Sequence, residues 1–216
     1  NSTRNSNCST MTFIRLGTSG GVQSDITPET LAIASYALGL DSTGIYYDQP
    51  PEDEIVERIE VEAEKILTEA TASTSRFKGK IIPYASKASA EVTDALVNQA
   101  TNHNVAFEAG ITVSSPGFYG PSSRFVDGLK NTLPNIKGSL SKLNIDGLKV
   151  LNMEMESSLF FHLCSQMGYR AGTICTVISA PTKSDAIIDY DVAIGNTIDI
   201  GLKALVELNE TSKSIS

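Results

Sequence analysis

Cysteine, histidine and basic residues are all scarce in this chain, and each shortage closes off a class of function. Three cysteines, Cys8, Cys164 and Cys175, are too few and too scattered for a disulfide framework. Cys164 and Cys175 stand in apolar patterns and read as small core residues in a reducing compartment, which points to the cytoplasm. Only two histidines occur, His103 and His162, and Cys8 lies far from the other thiols, so no metal centre is expected. His162 falls mid-helix among Phe160, Phe161 and Leu163, a setting that favours a structural role. Lys and Arg number 17 against 25 Asp and Glu, and the net charge of −8 is unsuited to neutralising nucleic acid. A local anion site survives that argument, because one arginine and a few backbone N–H groups hold a small phosphate. No apolar run approaches the length that spans a bilayer and no secretory signal is read, so no membrane partner is expected. The glycosylation patterns beginning at Asn1, Asn7 and Asn209 are discounted for the same reason.

What is present suits one domain. A chain of 216 residues, 41% hydrophobic and 19% charged, can bury a sizeable core. Residues 1–11 read as an irregular segment, 12–208 as the domain and 209–216 as a flexible tail. Apolar, β-branched runs predict strands at Thr12–Leu16, Leu31–Leu40, Lys80–Ala85, Ala109–Ser115, Lys149–Asn152 and Thr173–Ser179. Helical spacing places Ile55, Val56, Ile59, Ala63, Ile66 and Leu67 on one face of a helix spanning about Glu52 to Ala72. Further helices are expected at Ala88–Ala100, at about Glu154 to Met167 with Gly168 as its stop, and at Asp191–Leu208. Strands alternating with helices predict an α/β fold with a twisted, mostly parallel central sheet flanked by helices.

Three segments carry chemistry. Phe13-Ile14-Arg15-Leu16-Gly17-Thr18-Ser19-Gly20-Gly21 reads as a strand entering a glycine-rich turn. Arg15 offers a planar charged fork for an oxyanion, Thr18 a hydroxyl, and the glycines close backbone approach. Gly110 to Arg124 is a strand followed by a Pro- and Gly-rich loop bearing Phe118, which can stack on a ring, and Arg124, which can hydrogen-bond a carbonyl oxygen. Asn152-Met153-Glu154-Met155-Glu156-Ser157 sits at a strand-to-helix junction. Its carboxylates can accept hydrogen bonds from sugar hydroxyls while Met155 packs on an apolar ring face. Read alone, it is better explained as the charged first turn of an ordinary helix.

Together, in this order and from about Thr12 to Val206, the segments resemble the nucleoside phosphorylase family, and its uridine phosphorylase branch in particular. The resemblance implies an enzyme that cleaves the N-glycosidic bond of a nucleoside with phosphate, giving free base and ribose 1-phosphate. It needs inorganic phosphate as co-substrate and no cofactor. Arg15, Gly17 and Thr18 are the implied phosphate contacts. Thr18, Glu154, Met155 and Glu156 are the implied ribose contacts, with Glu156 accepting from the 2′- and 3′-hydroxyls. Ser115, Phe118, Ser122 and Arg124 form the base end, and Arg15, Thr18, Glu156 and Arg124 are the catalytic set. The family's dimers imply a homodimer or a higher homo-oligomer.

This chain departs from the pattern at three places. Uridine phosphorylases carry a glutamine where Ser122 stands, and one hydroxyl does not read uracil in two places. They carry an asparagine and an arginine where Ala180-Pro181 follows the last strand. Purine-selective members place an aspartate nearby, and the nearest acid here is Asp185. Pyrimidine is therefore only slightly preferred over purine. Family members also carry several tens of residues ahead of the strand at Thr12, including the first sheet strands, so an exposed sheet edge is expected. The alternatives are a catalytically impaired nucleoside-binding protein, a purine nucleoside phosphorylase and a hydrolytic nucleosidase.

Overall fold

The computed structural model describes residues 10–181 and 188–214; Cys8 and Asp185, and most of the segment at residues 1–11, lie outside them. Among the described residues seven strands are present, β1 Thr12–Gly21, β2 Leu31–Gly39, β3 Tyr84–Lys87, β4 Phe107–Ser114, β5 Asn144–Ile145, β6 Leu148–Glu154 and β7 Arg170–Ser179. Five α-helices accompany them, α1 Glu54–Ala70, α2 Ala90–Asn102, α3 Ile136–Leu140, α4 Ser157–Gln166 and α5 Tyr190–Ser214.

The strands run β1-β7-β2-β4-β6-β5, with β3 alongside β2. The sheet is mixed rather than mostly parallel. β1–β7, β2–β4 and β4–β6 pair parallel, whereas β2–β7, β2–β3, β5–β6 and β1–β6 pair antiparallel. The β1–β6 pairing also bends the sheet into a partly closed ring. The reason lies in the glycines expected to form a turn. Gly20 and Gly21 continue β1, and a register shift between Ser19 and Gly20 swings its end from β7 across to Met153 and Asn152 of β6. A strand interior with no side chains tolerates that bend and close approach.

Four apolar clusters hold the fold. Asp53 caps α1 by accepting the N–H groups of Ile55 and Val56 at 3.0 Å each. The helix then buries Val56, Ile59, Ala63, Ile66 and Leu67, the stripe its spacing predicts, against Leu38, Ile111 and Val113. Each large aliphatic side chain buried this way contributes about 1.5–3 kcal/mol. On the other face α2 and α5 cover Leu31, Ile33 and Ile174 with Leu96, Ile200 and Ala204. A third cluster seats Phe161 and Cys164 of α4 on Ala34, Ala37 and Ala171. Inside the ring, Ile26, Ala32, Leu151 and Val177 touch.

Several sequence expectations shift. β1 is longer than expected and only partly buried, with Phe13 at 38% and Leu16 at 37% exposure. Among the described residues its outer edge pairs only through Gly20 and Gly21. β3 begins after Pro83, which lacks the N–H a ladder requires. α5 runs on to Ser214, beyond Leu208. α4 ends as expected: Gly168 adopts φ 68°, and the N–H groups of Gly168 and Tyr169 return to the carbonyls of Ser165 and Cys164. His162 is buried, its Nε2 lying 2.6 Å from the Tyr47 carbonyl oxygen and its Nδ1 between Gln49 and Ser86.

Candidate active site

The junction of β6 and α4 is built differently from a charged first helical turn. Glu154 is the last residue of β6, in register with Ser114 of β4, and its carbonyl oxygen accepts the Ser115 N–H at 2.8 Å. That ladder holds it in the sheet, so α4 begins only at Ser157. The buried Glu154 carboxylate then satisfies the helix start from below. It accepts the N–H groups of Glu156 and Ser157, each at 3.1 Å, and the Ser114 hydroxyl at 2.6 Å. Ser114 in turn accepts the Ser158 N–H at 2.9 Å. A buried charge so fully hydrogen-bonded is locked in place.

Arg15 reaches this junction from β1. Its Nη1 lies 3.1 Å from Glu154 Oε2, its Nη2 pairs with Glu156, and Nη1 also lies 3.1 Å from the Cys175 sulfur. Cys175 is fully buried, and burial pushes its thiol up to about 12 despite the cation beside it. The thiol therefore packs under Arg15 as a neutral neighbour. Glu154 is closed off from solvent, whereas the Glu156 side chain is 57% exposed. One carboxylate anchors the arginine and the other is free to exchange partners.

These groups share a cavity of about 520 Å³ with most of the sequence-derived site. Arg15, Gly17 and Thr18 line one wall, Glu154, Met155 and Glu156 another, and Phe118, Ser122 and Arg124 a third. The volume lies in the range of small-ligand sites. Arg124 stacks its guanidinium 3.8 Å above the Phe118 ring. Ser115 does not line the cavity: it is fully buried, with its hydroxyl 3.2 Å from that of Ser122. The Ser122 hydroxyl donates to the Gly117 carbonyl at 2.8 Å, which spends its proton inside the loop.

Gly20 also lines the cavity, and the sequence reading missed Ser19, Lys137, Met153, Ile178, Ser179 and Tyr190, which complete the lining. Lys137 is the most consequential. It comes from α3, a helix of five residues too short to leave a periodic signal. Burial, reinforced by the charge of Arg124, pulls its ammonium below the ordinary lysine range. Ala180 is buried just past the end of β7. A second cavity of about 370 Å³ beside Pro116 and Pro121 is lined by Leu40, Ile81, Leu133 and Ile136 with Lys130 as its one charge. It lacks the paired carboxylates and arginines, so the larger cavity is the better candidate.

Known proteins resemble this chain in sequence and in structure. The chain is 29% identical over 174 residues to the uridine phosphorylase of Haemophilus influenzae, covering 81% of this chain and 56% of that one. It is 30% identical over 171 residues to the uridine phosphorylase of Thermococcus kodakarensis, covering 78% of this chain and 48% of that one. A crystal structure of a Trypanosoma brucei nucleoside phosphorylase, described as showing uridine phosphorylase activity, superposes with a TM-score of 0.78 at 28% identity, covering 91% of this chain and 63% of that one. The chain thus spans about half the length of the curated relatives it matches. The family profile of the phosphorylase superfamily matches residues 7–204, and with the nucleoside phosphorylase-like fold around this cavity it settles the family: the chain belongs to the phosphorylase superfamily.

Proposed function

We propose that the protein is a nucleoside phosphorylase acting on uridine in preference to purine nucleosides, with inorganic phosphate as co-substrate and no cofactor. The observation that carries this reading is the convergence of Arg15 and Thr18 with Glu156, Met155, Phe118 and Arg124 on one cavity. Phosphorolysis needs an anion held near C1′, a fixed ribose, and stabilisation of the charge that grows on the departing base. Arg15, Gly17 and Thr18 take the phosphate. Glu156 accepts from the 2′- and 3′-hydroxyls, with Met155 against the sugar and Thr18 within its reach. Phe118 stacks on the base and Arg124 binds a carbonyl oxygen, while Ser115 acts only through Ser122. Glu154 positions Arg15 and the start of α4 rather than touching the sugar.

The preference for uridine rests on the uridine phosphorylases among the relatives. Binding begins with an exchange: phosphate and ribose replace the Arg15–Glu156 pair, and each ligand takes over one of its partners. A homodimer in the cytoplasm fits the family and the buried free thiols of Cys164 and Cys175. The test is base release from uridine, thymidine, inosine and adenosine with and without phosphate. Phosphate-stimulated release, fastest from uridine, is the expected result. Release that ignores phosphate makes the protein a hydrolase, and binding without release makes it a nucleoside-binding protein.

A further inference from the structure

Lys137 stands apart from every other charge in the cavity. Arg15 is matched by two carboxylates and Arg124 rests on an aromatic face, but no ion pair to Lys137 occurs among the described residues. Its ammonium makes a long hydrogen bond, 3.5 Å to the Gly21 carbonyl. Its neighbouring charge is Arg124, of the same sign. A partly buried ammonium beside a like charge and without an ion-pair partner is costly unless a ligand supplies negative charge.

Its location sets which part of a ligand that is. A Cβ on Gly17 would meet the Arg15 guanidinium at 2.7 Å, whereas a Cβ on Gly20 would meet Lys137 Nζ at 2.8 Å and Ser179 Oγ at 3.1 Å. The two cations therefore sit over points three residues apart on β1, about 10 Å along a strand. That is the span of a phosphate, a sugar and a base in line. With phosphate at Arg15, Lys137 falls at the base. Of the surrounding hydroxyls, Ser122 gives its proton to Gly117, which leaves those of Ser179 and Tyr190 in the lining beside the two cations.

Resting on the function proposed above, we propose that Lys137 is a catalytic residue that hydrogen-bonds a carbonyl oxygen of the departing base and stabilises its anion, in partnership with Arg124. As the C1′–N bond breaks, its electron pair passes into the base ring and appears on that oxygen. A phosphate oxygen forms the new bond to C1′. Lys137 keeps its proton throughout. The proton that hydrogen phosphate gives up on becoming ribose 1-phosphate reaches the base through solvent.

The test uses 5-nitrouracil, whose anion is distinguished from its neutral form by absorbance, titrated with the wild-type protein, K137M and K137R. The wild type is expected to bind the anion in preference, lowering the apparent pKa of the bound base. K137M loses that shift, binding the anion about 10-fold more weakly and the neutral form unchanged, as expected for loss of a charge-assisted hydrogen bond. K137R retains most of it, and matching thermal melts establish that both variants fold. An undiminished shift in K137M overturns the proposal while leaving the phosphorylase reading intact. So does weakened binding of inorganic phosphate with the base shift preserved, which would place Lys137 at the other end of the ligand. If the wild type binds no base at all, the phosphorylase reading falls and the role of Lys137 falls with it.

Discussion

Arg15 of β1 and Glu154 of β6 meet at 3.1 Å, so a charge pair joins the same two strands that pair through their backbones at Gly20 and Gly21. Glu154 also carries the Ser114 hydroxyl and the first N–H groups before and within α4. Replacing it by glutamine turns one acceptor oxygen into a donor that faces Arg15 and backbone N–H groups. We predict that E154Q loses about 3–5 kcal/mol of stability, the range for breaking a buried charge pair from one side. Urea unfolding measures it, and a loss below about 1 kcal/mol contradicts the anchoring role.

Glu156 is expected to behave oppositely, because its carboxylate pairs with Arg15 yet is exposed, and in the proposed function it is handed to the ribose. E156Q should lower kcat/KM for the nucleoside by roughly 10- to 150-fold, the equivalent of about 1.5–3 kcal/mol of charge-assisted hydrogen bonding. It should leave phosphate binding unchanged or tighter, since it releases Arg15. Steady-state kinetics varying each substrate separate the two effects. Weaker phosphate binding in E156Q would count against the exchange.

Arg15 itself is predicted to answer to shape as well as charge. R15K keeps a cation but loses the planar fork, and we expect the KM for phosphate to rise about 10-fold or more with a smaller change for the nucleoside. An R15K enzyme with wild-type phosphate dependence would remove Arg15 from the anion site.

Gly20 leaves the room that the Lys137 ammonium occupies. Since both crowded atoms are ends of flexible side chains, G20A should fold with a stability change below about 1 kcal/mol. It should nevertheless weaken binding of the base anion several-fold by displacing Lys137. A calorimetric titration with 5-nitrouracil beside a thermal melt tests both halves.

Cys175 gives a pH prediction with a definite sign. Its folded thiol titrates only at about 12, above the ordinary thiol range, so folding holds a proton that the unfolded chain releases sooner. Its favourable contribution is complete below the ordinary thiol pKa and is lost as pH climbs from there towards about 12, at about 1.4 kcal/mol per pH unit. Tyr36 and Tyr84, both raised by burial, steepen the loss further into alkali. C175A should therefore show a shallower fall in stability between neutral and alkaline pH than the wild type. Equal slopes would mean that the thiol is not buried as described.

Much of this was legible from residues alone, for identifiable reasons. The α1 stripe from Val56 to Leu67 needs only helical spacing, and Gly168 as a stop needs only a left-handed cap. Arg15 and Glu156 were singled out through the resemblance of their segments to a known family, and the structure brings both to one cavity. The mixed, partly closed sheet was not legible. It depends on Gly20 and Gly21 pairing with Met153 and Asn152, a contact between segments far apart in sequence that no local period encodes. Lys137 was missed because a single lysine in a five-residue helix resembles any surface lysine until tertiary packing buries it. Ser115, expected at the base end, is fully buried outside the cavity lining, since adjacency to the loop says nothing of which hydroxyl faces inward.

The most direct trial of the account is a structure of the protein soaked with uridine and a phosphate mimic such as sulfate. The account predicts the oxyanion on Arg15 and Thr18, the ribose hydroxyls on Glu156, and the Arg15–Glu156 pair opened between them. Oxyanion and nucleoside bound in separate places, with Arg15 and Glu156 still paired, would contradict it.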